Sequence, residues 1–491
     1  MEQRLRWHVE RCLAWLHVAG DEQLMMNDEP FEVPQCPEEL LNTRFRVVHD
    51  EGHDTWPSWK GRDGQYGELQ WGLMPGFEKT IVAEKFLDDR GEMIRVCRRA
   101  HQPTAEPWVG YWWLWPSPMV LPPWHTPGTW AELRRAGARM KVDVDRFIRW
   151  MAHRVGGKKA VIVLIGYPIP TLWNGNPVEV HWQAIFLPDV PTRIKPTKGF
   201  RPSPNGSNER LLQQEIFGGA KKLSYLRTSN WHPDRLQARG RFPSDIRASS
   251  IAIIGAGALG STVAEILARC GVANILIVDH DDLEPGNLVR HTLIGADLGC
   301  NKATATAARL QGAAPMSSIS AHAAMLPSGD RLQQLLEPFD IVIDCTGEDE
   351  VLRRLAEAWW SIPRRFLSAS LGFAAKRLFL FGAQACAFPF DEFAAAVKPW
   401  LAAERSQWST AGETLEGAGC WSPLFPARCD DVWLSAVATV KYLEFMAQGT
   451  WVNALRVLEQ SLVEGTAGYQ AVEFDALSAS GANVPQEGGA L

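Results

Sequence analysis

The spacing of hydrophobic positions changes partway along the chain. Residues 1–20 place apolar side chains at helical intervals and predict a short amphipathic helix, while 21–60, rich in Pro, Asp and Glu, read as loop. Residues 66–100 alternate in strand fashion. The run 108–124 is apolar but carries four prolines, so it cannot be one helix. A helical stretch at 141–155 precedes two strands, AVIVLIGY and VEVHWQAIFLP. Residues 190–210 hold the densest cluster of Pro, Gly, Ser and Lys, which sets the expected boundary between domains 1–210 and 211–491. Beyond residue 245 short apolar runs alternate with helical patterns, as in a mostly parallel, doubly wound sheet. The stretch 386–428 reads as irregular, and DDVWLSAVATVKYLEFM as a late helix.

Composition sharpens that division. Fifteen of 22 tryptophans fall in residues 1–250, where 34 Lys and Arg stand against 29 Asp and Glu; the rest of the chain has 16 against 27. Hydrophobic residues at 46% and charged residues at 22% exclude a disordered, collagenous or disulfide-stapled chain. Neither half has the basic excess of a dedicated nucleic-acid binder. The most basic stretch, 151–250, carries 15 Lys and Arg against 6 Asp and Glu; it reads first as a solvated face, second as a site for an acidic partner or phosphates. Nine cysteines without a Cys-x-x-Cys pair disfavour zinc ribbons and disulfides. The longest apolar stretch, 160–173, is too short to span a bilayer, and Glu10 and Arg11 interrupt any signal-peptide core. A cytoplasmic protein is expected.

The chemistry concentrates after residue 250. Gly255-Ala-Gly257-Ala-Leu-Gly260 follows a strand and opens a helix, where glycines permit a tight turn and the helix N-terminus favours phosphate. Asp279, 24 residues after Gly255, ends the next strand in position to accept hydrogen bonds from a ribose. Arg290 and Lys302, with Asn287 nearby, supply the cations that nucleotidyl transfer needs and an oxidoreductase would leave idle.

Together, Gly255–Gly260, Asp279-x-Asp281, Asn287-Leu288-x-Arg290 and Lys302-Ala303 resemble the ThiF/MoeB/HesA adenylation fold shared with ubiquitin-activating enzymes. The resemblance covers about residues 222–450. It implies a Rossmann-like doubly wound α/β adenylation domain; the Trp-rich α+β domain before it, of unassigned fold, reads from its composition as a partner-recognition module. The resemblance also implies adenylation of the C-terminal glycine of a ubiquitin-like protein with ATP and Mg2+, and delivery to a conjugating enzyme. Carried over, Asp279 holds the ribose, and Asn287, Arg290 and Lys302 hold phosphates. The family's magnesium aspartate is replaced by Gly347, leaving Asp349, Glu348 or Asp344 to serve. The family's upstream arginine is expected at Arg227, with Arg235 next; if it acts across a dimer, the enzyme is a homodimer. Cys420, in a Gly-rich segment where Gly419 to Pro423 matches the family's crossing-loop pattern, is the expected thioester acceptor, ahead of Cys429 and Cys386. Cys97 reads as an ordinary strand cysteine, with a conjugating-enzyme thiol as the lesser reading. Motif details resemble bacterial conjugation systems, including those of antiphage defence. A sulfur-carrier activator and a non-catalytic scaffold are the alternatives.

Overall fold

The first sheet closes on itself. Its strands are β1 (Leu41–His49), β2 (Tyr66–Leu73), β3 (Thr80–Leu87), β4 (Met93–Val96), β5 (Trp108–Leu114), β6 (Val161–Pro170), β7 (Pro177–Leu187) and β8 (Tyr225–Asn230), in the order β1-β8-β7-β6-β5-β2-β3-β4. An added parallel pairing of Arg46–Val48 with Thr80–Val82 joins β1 to β3 and makes a ring. This computed structural model describes residues 2–20, 30–74, 77, 79–98, 108–122, 124–155, 161–187, 216–410, 427–449, 451–463 and 465–474. The chain divides into two compact units, Met1–Leu236 and Gln237–Leu491.

In the first unit the strand period of two sorts side chains to two cores. Tyr111, Trp113, Val163 and Ile165 pack under the helices Trp130–Arg139 and Val144–Val155 with Leu133, Phe147 and Met151. The alternate positions Trp112, Leu114, Ile162 and Leu164 join Trp59, Trp71 and Trp182 on the inner face. Both faces of β6 are therefore buried, which is why its sequence reads as a continuous apolar run. The inner face also holds charge. Glu51, wholly buried, accepts from Trp59 Nε1 at 3.0 Å, Trp182 Nε1 at 3.1 Å and Arg95 Nη1 at 2.9 Å, while Arg95 Nη2 donates to Asp50 Oδ1 at 2.6 Å. Buried ions persist when so completely bonded.

One expectation changes here, and the first reading of Cys97 stands. β8 pairs with β7 and β1, so the first unit runs well past the expected boundary at 210, whose loop composition does not mark where the sheet ends. Cys97 is buried, and Arg95 Nη1 donates to its Sγ at 3.3 Å. Burial pushes that thiol well above its ordinary range, which fits an ordinary packed cysteine.

The second unit carries β9 (Ser250–Ile254), β10 (Asn274–Val278), β11 (Ser318–His322), β12 (Ile341–Asp344), β13 (Arg364–Leu371), β14 (Arg377–Ala385), β15 (Ala454–Val463) and β16 (Thr466–Val472). The order is β11-β10-β9-β12-β13-β14-β15-β16, parallel through β13 and antiparallel beyond. Ile251 and Ile253 of β9 face one core, and Ala252 and Ile254 face the other. This is the doubly wound arrangement: strands are added outward on one side of β9 and then, from β12, on the other, with all strands through β13 parallel. Ligands bind at that switch, beyond the strand C-termini. Residues 390–410, expected to be irregular, form the helix Phe390–Thr410 with Pro399 inside it. Phe393 and Val397 bury against the sheet, and that packing overrides the proline. No helix among the described residues is long and apolar enough to cross a membrane.

Candidate nucleotide site

Gly255 leaves β9 with φ +87°, and a Cβ there would stand 2.9 Å from Thr346 Cγ2 at the end of β12. Only glycine combines that dihedral with that approach. A Cβ on Gly260 would lie 1.9 Å from the Gly255 carbonyl oxygen, so Gly260 lets the helix Ala258–Arg269 pack against the turn. Gly257 serves otherwise. It caps that helix without a side-chain hydrogen bond, and a Cβ on it would meet open space. The first-turn N–H groups thus front a hollow, which suits an anion.

Asp279 closes the turn from β10. Its Oδ2 accepts from Ala256 N at 2.6 Å and its Oδ1 from Asp281 N at 2.8 Å. Asn301 caps the helix Lys302–Ala313, accepting from Thr304 N, and its Nδ2 donates to the carbonyls of Asp279 and Asp281. Lys302 is thereby held at the helix start, almost buried, with Nζ 3.0 Å from Asp281 Oδ2. A cleft at the switch is lined by Gly255, Gly257, Asp279, Lys302, Thr346 and Glu348, with Glu350 and Arg354 at its side. Arg354 is fixed by Glu350 Oε1 at 3.2 Å and the Leu326 carbonyl at 2.5 Å.

The remaining expected residues fall elsewhere. Asn287 Oδ1 accepts from Glu284 N at 3.0 Å, capping the short turn Pro285–Asn287, and neither Asn287 nor the half-buried Arg290 lines the cleft. Asp349 begins the helix Asp349–Glu357 and points no lining atom into the cleft; its neighbours Glu348 and Glu350 take that place. Asp344 is buried behind it. Oδ1 accepts from Thr346 N and Oγ1, and Oδ2 from Ser368 Oγ, so a cation would have to displace those bonds. Burial pushes its carboxyl up to about 6. Gly347 itself has φ +69°, a conformation glycine favours.

Arg227 is exposed on β8 in the first unit, and Arg235 is ion-paired with the buried Glu179. Cys420, with Gly419 and Pro423, lies outside the described residues. Cys429 is exposed at the start of the helix Cys429–Gln448, and Cys386 is half-buried.

Sequence reasoning missed His291. Its Nδ1 accepts from Leu293 N at 3.0 Å, which leaves the proton on Nε2, 2.6 Å from the Ala256 carbonyl oxygen. A lone histidine one place after Arg290 carries no spacing signal, so only the fold reveals the bond.

A glycine turn, an uncapped helix, an acidic strand end and a buried lysine at the switch of a doubly wound sheet define a nucleotide-binding adenylation fold. Residues 236–388 match the ThiF family and residues 22–231 the Cap2 central linker domain. The chain is 32% identical to the ATP-dependent ubiquitin transferase-like protein Cap2 of Enterobacter hormaechei, over 90% of this chain and 73% of that protein, and it belongs to that family. The Cap2 protein of Pseudomonas aeruginosa is 36% identical over 24% of this chain and 22% of its own. The sulfur carrier protein adenylyltransferase of Thermus thermophilus is 33% identical over 21% of this chain and 37% of its own. These two shorter matches cover only part of each protein.

Proposed function

We propose that this chain activates a ubiquitin-like protein in two steps. A C-terminal carboxylate oxygen attacks the α-phosphorus of ATP, forming an acyl–adenylate bond as the bond to the β-phosphate oxygen breaks and pyrophosphate leaves. The Cys420 thiol then loses its proton to solvent, the thiolate attacks the acyl carbon to form the thioester, and the acyl–phosphate bond breaks with AMP as the leaving group. The observation that carries this reading is the cleft itself: Gly257 with its open hollow, Asp279 and Lys302 converge at the switch point.

Each group has work in that chemistry. The N–H groups of the helix Ala258–Arg269 and the Lys302 ammonium stabilise phosphate charge. Arg290 is the second cation, carried on the segment that His291 ties to the glycine turn. Asp279 accepts from the ribose. The oxygen donors of Glu348 and Glu350 on the cleft suit magnesium, which would draw charge off the triphosphate there. In this reading the enzyme is a cytoplasmic homodimer that feeds a conjugating enzyme in a bacterial pathway of the antiphage kind.

The test is pyrophosphate exchange into ATP with a candidate ubiquitin-like protein. Lys302→Ala is expected to lower exchange roughly a hundredfold, as loss of one preorganised charge-stabilising group does. Exchange undiminished by that substitution would reject the site.

A further inference from the structure

Adenylation leaves one strongly charged feature of the first unit unused. β1 and β8 run parallel, but the register jumps between Asn42, paired with Leu226, and Arg46, paired with Arg227. The residues between Asn42 and Arg46 bulge from the ladder and set two arginines opposite each other on one rung. A hollow opens on each side of that pair, one of about 410 Å3 and one of about 480 Å3, and both include Arg46 and Arg227 in their walls. Lys79 joins the second hollow. Among the described residues no carboxylate lines either hollow, and none of the three cations forms an ion pair.

The first hollow adds an acceptor and an apolar wall. Gln183 is 6% exposed; its Nε2 donates to the Pro34 carbonyl at 3.2 Å, and its Oε1 has no partner. A buried acceptor left unpaired is costly, so the site favours a ligand that brings an N–H group. Val33 and Leu41 line the same hollow and offer aliphatic contact.

We propose that the Arg46–Arg227 groove binds an acidic peptide segment in extended form. Its carboxylates would pair with the two arginines, a backbone N–H would satisfy Gln183 Oε1, and an alternate aliphatic side chain would cover Val33 and Leu41. Inorganic phosphate would meet the arginines but leave that wall bare. The inference is independent of adenylation, since every residue in it belongs to the first unit.

Fluorescence anisotropy on the full chain, without ATP, tests it with a labelled peptide of alternating Glu and Val. Saturable binding is expected, with the Gln–Val counterpart about tenfold weaker or more, as for loss of charge-assisted bonds. Arg46→Ala and Arg227→Ala should each weaken binding by a similar factor without shifting Tm, since both side chains are exposed. The double reversal Arg46→Glu with Arg227→Glu should reject the acidic peptide and accept a Lys–Val one. Equal binding of the neutral peptide, or unchanged binding by the alanine variants, would overturn the proposal. So would inorganic phosphate binding as tightly as the peptide at matched ionic strength, which would mark a bare anion site. Loss of pyrophosphate exchange in Arg227→Ala with peptide binding intact would return that arginine to the nucleotide.

Discussion

The His291 imidazole holds the carbonyl of Ala256, the residue between Gly255 and Gly257, at 2.6 Å. The phosphate turn is thus braced from a segment more than thirty residues away. Removing one partner of a buried bond costs about 1–3 kcal/mol. His291→Ala should therefore weaken ATP binding by roughly five- to a hundredfold in calorimetric titration, while His291→Gln, which keeps a donor, should recover most of it. An alanine variant that binds ATP as tightly as the parent would show the brace to be idle.

Acid should release the same brace. Burial holds His291 below the ordinary histidine range, with the nearby Lys302 charge adding to it, while the bond to Ala256 works the other way. A group whose folded value is depressed contributes stability above its unfolded value, and that contribution is lost as pH falls. Protonated Nδ1 cannot accept from Leu293 N, so ATP affinity should hold through the ordinary histidine range and decline as pH falls below it, through the lowered folded value. A flat profile that matches His291→Gln would refute this.

Asp344 has the opposite sign. Burial raises its carboxyl from 3.8 to about 6, so its contribution is full below the lower value and lost as pH rises through the upper one. Asp344→Asn removes that dependence. Denaturant unfolding at pH 4.5 and pH 7 should show the parent losing stability relative to the variant as pH increases. The reverse trend would mean the carboxylate is stabilised by its neighbours.

The two turn glycines should separate stability from binding. Gly255→Ala meets both the φ of +87° and the Thr346 methyl at 2.9 Å, and should cost about 1–3 kcal/mol with a lower Tm. Gly257→Ala meets open space and should leave Tm nearly unchanged while its methyl enters the hollow and weakens ATP binding. Equal losses of Tm in the two would contradict this division.

Thiol chemistry divides similarly. Cys97, buried against Arg95, should resist a thiol reagent until the protein unfolds, and Cys97→Ala should leave any reducible adduct with the ubiquitin-like protein intact. Cys420→Ala should abolish that adduct on non-reducing gels. An adduct that survives Cys420→Ala and disappears in Cys429→Ala would move the acceptor.

The second unit was the more legible half. Its strands are short apolar runs between helical patterns, and Gly255, Asp279 and Lys302 sit at positions fixed by their backbone roles. The first unit showed its strands at 66–100, AVIVLIGY and VEVHWQAIFLP but hid β5, because both faces of that strand are covered. Trp112 and Trp113, adjacent in sequence, enter different cores, so no polar alternation marks the strand. Pro399 disguised a helix whose stability comes from buried Phe393 and Val397. Asn287 resembled a phosphate ligand by motif, and a sequence does not reveal that its Oδ1 also caps the turn Pro285–Asn287. Asp344 looked available for magnesium because a sequence does not reveal that Thr346 and Ser368 already surround it.

The closure of the first sheet has a consequence for synthesis. β8, the strand between β1 and β7, is the last of that sheet to leave the ribosome, and its partner β1 is among the earliest. Until residue 230 emerges, β1 has no neighbour on that side, and the arginine rung at Arg46 and Arg227 does not exist. Such distant pairing folds slowly. A chain cut at residue 210 would therefore yield an open, aggregation-prone sheet on one side of the cut and a stray strand on the other.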